Sequence, residues 1–139
     1  MKMIKLALAL VVATAVSGFA AESAKTPKAG DKPPAVEGKD QDGKTWKLSD
    51  YTGKKAVLLY FYPKDETPGC TKQACGLRDQ MTDLQKENVE VVGVSFDNAE
   101  SHKKFREKHN LNFTLLADTD GKIADAYGVR RGKDRKSVV

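Results

Sequence analysis

Apolar residues fall along this chain in two kinds of run. Ala56 to Tyr62 is continuous and bounded by Lys55 and Pro63, the pattern of a strand buried in a parallel sheet. Cys70, Ala74, Leu77, Met81 and Leu84 step by four, three, four and three, one buried stripe of a helix starting near Pro68 and reaching about Glu87. A strand over Val89 to Ser95 follows. Asp97 or Asn98 then caps a helix running to about His109. Phe113 to Ala117 is a further buried strand, Asp118 to Gly121 a turn, and Ile123 to Tyr127 a short helix ended by Gly128. Upstream, Asp42-Gly43 signals a turn between short strands at about Val36 to Lys39 and Thr45 to Leu48. Strands alternating with helices predict an α/β domain: a mainly parallel central sheet flanked by helices, with an N-terminal β-hairpin. Trp46 is expected in its core, and no internal repeat is visible.

Composition narrows the picture modestly. A chain of 139 residues suffices for one ordinary domain, and 40% apolar with 31% charged residues is a globular composition. The formal charge of +5 falls to +3 once Lys2 and Lys5 are set aside with the leader described below. Such a surplus, without a basic stripe interleaved with aromatics, argues against nucleic acid as a partner. Two cysteines are too few for a disulfide scaffold or for a zinc site of four thiolates.

Met1 to Ala21 has the parts of a secretory signal: Lys2 and Lys5, the apolar run Leu6 to Val16, then Gly18 and Ala20 at small–x–small spacing. A membrane anchor is the alternative, but the run is shorter than the ~20 residues of a spanning helix. No cysteine follows it for lipid attachment. The expectation is a signal peptide over 1–20, a flexible Lys/Ala/Pro-rich linker over 21–34 and the folded domain over 35–139. The mature protein is then periplasmic or secreted, with no membrane association after cleavage.

Both cysteines sit at the start of the first long helix. With Thr67 as N-cap, Pro68 falls at N1 and Cys70 at N3, among the unpaired N–H groups at the positive end of the helix dipole. That position favours a thiolate, the nucleophilic form of cysteine. Cys75 lies five residues on. That is about 140° around the axis and ~7.5 Å along it. A disulfide needs Cα atoms within roughly 7 Å and converging Cβ vectors. The pair can therefore bridge only if the first turns unwind. Spacing alone leaves an ordinary disulfide and a redox-active pair both open, and an N-cap threonine by itself needs no catalytic explanation.

Pro63-x-x-x-Thr67-x-x-Cys70, in the setting YFYPKDETPGCTKQACGLRD, resembles the active-site motif of the peroxiredoxins, in particular the Q type (bacterioferritin comigratory protein). The resemblance runs from about Gly30 to Val139. It implies a thioredoxin-like fold and a thiol peroxidase acting on hydrogen peroxide and organic hydroperoxides, without a cofactor. Cys70 would be the peroxidatic cysteine and Cys75 the resolving one, their disulfide being recycled by a thioredoxin-like reductant. Thr67 would contact thiolate and peroxide, and Pro63 would shield the thiolate from water. Arg135-Lys136-Ser137-Val138-Val139 resembles the strand whose arginine, here Arg135, pairs with the thiolate, although Val138 replaces an aromatic. This chain is expected to be a monomer or weak dimer. Relatives with the motif continue past that strand with an antiparallel strand and a closing helix, whereas this sequence ends at Val139. The expectation is a form lacking its C-terminal strand and helix, less stable and a poorer peroxidase than a full-length relative.

Other features carry less. His102 and His109 share one helix face, with no further ligand at metal spacing, and are expected to be solvated. The rest of the basic run from Arg130 to Lys136 reads as a solvated loop. Val36 and Gly38 stand where the family has larger apolar residues, so the first strand is expected to pack weakly. Three rival functions remain: a thiol–disulfide oxidoreductase, which would more commonly carry Cys-x-x-Cys, a metal-handling module of the same fold, and an inactive truncated remnant.

Overall fold

The computed structural model of the chain describes residues 26–130. The leader, residues 21–25 of the linker and Arg135 lie outside that range. Five strands are present: β1 (Glu37–Asp40), β2 (Thr45–Lys47), β3 (Ala56–Phe61), β4 (Val89–Ser95) and β5 (Thr114–Ala117). Three helices join them: α1 (Pro68–Lys86), α2 (Ala99–Lys108) and α3 (Lys122–Ala126). The sheet order is β2-β1-β5-β4-β3. β3, β4 and β5 run parallel, joined by crossovers through α1 and α2. The hairpin β1–β2 is added antiparallel on the outer side of β5. The sheet is therefore mixed, a parallel half extended by an antiparallel one, with helices against it.

The alternation of side chains along each strand divides the core in two. Val91 and Leu115 face the cluster that holds Cys70, Ala74, Met81 and Phe105 from α1 and α2. Val92, Val94 and Leu116 face the other, which takes Val36, Trp46 and Ile123. All five valines and leucines at the centre of this division are at or near complete burial, as their continuous apolar runs require. Gly93 serves a close approach. A β-carbon there would lie 2.8 Å from the Tyr60 hydroxyl and 2.9 Å from Leu115, so its absence lets the Tyr60 ring lie across β4.

The hairpin is better packed than its small residues suggest. Val36 is 3% exposed, and Ile123 of α3 reaches to within 3.3 Å of where a β-carbon on Gly38 would stand. A larger residue at Gly38 would displace Ile123, so the expectation of a weakly packed first strand is corrected. Trp46 lies in the core, stacked on Tyr51 at 5.2 Å.

Candidate active site

The loop between β3 and α1 carries Pro63, Asp65 and Thr67, and the first turns of α1 carry both cysteines. Thr67 is the N-cap residue in extended geometry, and its carbonyl accepts the first helical hydrogen bond from Thr71 N at 2.9 Å. Its hydroxyl makes no cap. It donates instead to the Lys64 carbonyl at 3.1 Å, which tightens the loop. Pro68 follows at N1, where its missing N–H costs nothing. Cys70 is 8% exposed and packs in the cluster with Tyr62 and Phe105, while Cys75 is half-buried. Both are free thiols on a continuous helix. The predicted stripe is realised: Cys70, Ala74 and Met81 are buried, and Leu77 and Leu84 pack against the same cluster.

A buried polar network stands behind the loop. Asp65 Oδ1 accepts from the Tyr62 hydroxyl at 2.7 Å. Asp65 Oδ2 accepts from the Ser101 hydroxyl and lies 2.8 Å from His102 Nδ1. The Asp65 backbone N–H donates to Asp97 Oδ2 at 2.8 Å, an oxygen that also accepts from the Ser95 hydroxyl. His102 Nε2 faces the Leu116 carbonyl at 3.0 Å. Burial opposes the ionised form of Asp65, but the hydrogen bonds from His102, Tyr62 and Ser101 together with the His102 charge prevail and hold its carboxyl below the usual range. Burial, and then the bond to Asp65, raises Tyr62 far above the ordinary phenol, so it remains a donor. Tyr60 is also raised, by burial and then by the charges of Asp65 and Cys70, and its buried hydroxyl has no partner among the described residues.

This network corrects the expectation of solvated histidines. His102 is fully buried, because it shares the inward face of α2 with Phe105 and finds a partner for each ring nitrogen. His109 is mostly covered, with its ring edge-on to Phe105 at 5.2 Å and its carbonyl accepting from Arg78 at 2.7 Å. The spacing of His102 and Phe105 at i, i+3 was the available signal for burial. Asp65, in a polar loop, gave none. Asp97 and Asn98 divide their expected role: Asn98 caps α2 by accepting from Ser101 N at 2.9 Å, and Asp97 joins the network.

Asp65, Asp97 and His102 bring ligand-type atoms within 4.8 Å of one another. The Asp65 oxygens, the nearer Asp97 oxygen and both histidine nitrogens are already engaged, so the cluster works as a hydrogen-bond network. A cleft of about 480 Å³ opens on the other side of Pro63, walled by Phe61, Phe96 and Val129, and neither cysteine lines it. Among the described residues, no helix is long and apolar enough to cross a membrane. The structure thus brings Pro63, Thr67, Cys70 and Cys75 into one loop and helix start, and Arg135 falls outside the described residues.

The AhpC/TSA family profile matches residues 29–139. The chain is 54% identical over 122 residues to a chloroplastic peroxiredoxin Q of Populus jackii, covering 79% of this chain and 57% of that protein. It is 48% identical over 106 residues to a putative peroxiredoxin bcp of Coxiella burnetii, covering 76% and 70%. Among solved structures, the peroxidoxin BcpB of Mycobacterium tuberculosis superposes with a TM-score of 0.71 at 38% identity, covering 74% of this chain and 67% of that one. The chain thus spans between 57% and 70% of the length of these curated relatives. The fold is the thioredoxin-like fold of the peroxiredoxins, and the chain belongs to the AhpC/TSA family as a peroxiredoxin of the Q type.

Proposed function

We propose that the protein is a thiol peroxidase that reduces hydrogen peroxide and organic hydroperoxides through Cys70 and Cys75. The observation that carries this reading is the placement of Cys70 at the N-terminal turn of α1, behind the Pro63–Thr67 loop, with a second free thiol five residues on. The Cys70 thiolate attacks one peroxide oxygen, forming an S–O bond as the O–O bond breaks. The departing oxygen leaves as water or an alcohol after taking up a proton, and Cys70 becomes a sulfenic acid. The Cys75 sulfur then attacks the Cys70 sulfur, water departs and a disulfide forms. A thioredoxin-like dithiol reduces that bridge and is itself oxidised.

Within this reading Thr67 contacts thiolate and peroxide after its hydroxyl turns from the Lys64 carbonyl, and Pro63 limits water at the sulfur. Arg135 supplies fixed positive charge where negative charge develops on oxygen. We assign the roles of Thr67 and Pro63 from the motif and the loop that carries it, and that of Arg135 from the resemblance of residues 135–139 alone. Peroxide consumption by the purified, reduced protein tests the proposal. Stoichiometric or catalytic loss of peroxide supports it. Exchange with protein disulfides and no loss of peroxide would replace it with the oxidoreductase reading.

The protein is also proposed to be exported, on the strength of Lys2, Lys5, the apolar run Leu6 to Val16 and the small residues before Ala21. Mass spectrometry of the mature protein is expected to find an N-terminus near Ala21. An intact Met1 in soluble cytoplasmic protein would overturn it.

A further inference from the structure

We propose that His102 is a positioning residue for the cysteine site: held as an imidazolium between Asp65 and the Leu116 carbonyl, it fixes the loop that presents Cys70 and cancels the Asp65 charge. The charge state follows from the partners. A backbone carbonyl can only accept, so Nε2, 3.0 Å from Leu116 O, carries a proton. Nδ1 faces Asp65 Oδ2 at 2.8 Å, and this carboxylate already accepts from the Tyr62 and Ser101 hydroxyls. Nδ1 therefore carries a proton as well, and the buried pair is a salt bridge with each partner's hydrogen bonds filled.

The consequence for the site is mechanical and electrostatic. Asp65 lies five residues before Cys70, and the Tyr60 phenol feels the charge of both. An Asp65 carboxylate without its cation would oppose a second negative charge on the Cys70 sulfur. Without His102, Asp65 itself would be tied to α2 by a single hydroxyl, that of Ser101, and the loop's other tie to that helix is the exposed Lys108–Glu66 ion pair at 2.6 Å. Loss of placement by about an ångström at a reacting centre costs on the order of 100-fold in rate.

This inference rests on the peroxidase reading for its kinetic part only, and it is tested in the Cys75→Ser background, where Cys70 can be oxidised once. Two variants remove the pair differently: His102→Leu deletes both donors, and Asp65→Asn keeps the shape and removes the charge. Each is expected to slow the single oxidation of Cys70 by hydrogen peroxide about tenfold or more. Each should also speed iodoacetamide alkylation of the same sulfur by about threefold or more, as the loop loosens. Amide protection around Met81 should stay unchanged, which separates a displaced loop from general unfolding. In the parent protein at neutral pH, ¹⁵N NMR should find both His102 ring nitrogens protonated.

A singly protonated His102, or peroxide and alkylation rates within about twofold of the parent in the variants, would overturn the proposal. If His102→Leu fails to fold, Asp65→Asn and the NMR measurement decide. If the parent forms no sulfenic acid with peroxide, the peroxidase reading fails, and the NMR and alkylation results still judge the clamp.

Discussion

The chain is built differently on the two sides of Glu66. On the N-terminal side, Asp65 is fixed by hydrogen bonds to Tyr62 just after β3, to Ser101 and His102 of α2, and to Asp97 in the segment after β4. On the other side, α1 begins with few local supports. The Thr67 side chain makes no cap, Pro68 and Gly69 are exposed, and Gly76 stands in the helix with open space where a β-carbon would be. Glu66 itself takes a left-handed backbone (φ 63°) between them. A second fixed point, the Arg78 bond to the His109 carbonyl at 2.7 Å, ties α1 to the end of α2. Residues 67–77 are therefore a weakly supported helix start between two anchors, Asp65 in the loop before α1 and Arg78 on it. That is the arrangement needed if Cys70 and Cys75, too far apart on an intact helix, are to meet while the rest of the domain stays folded.

The largest effects should appear at the sulfurs. Cys70→Ser is expected to abolish peroxide turnover. Cys75→Ser should leave one stoichiometric oxidation and allow a sulfenic acid to be trapped on Cys70. Equal single-event reactivity in the two variants would assign the roles wrongly.

Next come the anchors. Asp65→Ala takes the carboxylate partner from the Tyr62 hydroxyl and from His102 Nδ1 in a buried site and should cost about 3 kcal/mol, read from denaturant midpoints. Thr67→Ala, with no side-chain cap to lose, should cost only about 0.5 kcal/mol. Comparable losses at the two positions would erase the contrast between the two sides of Glu66.

Acid provides a gentler probe. Because folding holds the Asp65 carboxyl below its ordinary value, its contribution is fully present above the unfolded-chain value of about 3.9. It is lost as pH falls from there through the folded-state value, since the unfolded chain takes up the proton first. Asp65→Asn should flatten that part of the stability curve. An acid limb of unchanged steepness would mean that other carboxylates carry it.

The smallest effect is expected at Gly76→Ala. Open space and a helical backbone let alanine stabilise α1 by about 0.5–1 kcal/mol. If unwinding precedes the disulfide, the same change should slow disulfide formation by up to about fivefold. A stabilised variant that closes its bridge at the parent rate would separate the two processes.

The positions of the strands, the two long helices and the cysteine-bearing stripe were legible from continuous apolar runs and helical spacing. The burial expected of Ala56 to Tyr62 is corrected: β3 is the outer strand of the sheet order and leaves Leu58 38% exposed. Val89 to Ser95 matches β4 residue for residue, and Pro68 opens α1 as its N-cap logic requires. The network behind the loop was not legible. A histidine on a helix face signals burial only when its neighbours do, and the partners of His102 are Asp65 and Leu116, 37 and 14 residues away in the chain. Ion pairs across such separations leave no periodic trace. The small residues of the hairpin misled for a related reason, since the side chain that fills the space at Gly38 is Ile123 from α3.

Amide hydrogen exchange on the reduced protein and on its Cys70–Cys75 disulfide form tests the central claim most directly. Oxidation is expected to strip protection from Thr71 to about Leu77 and to leave Tyr62, Asp65 and Met81 as protected as before. Unchanged protection in the first turns of α1, or a loss that spreads through Asp65 and Met81, would contradict it.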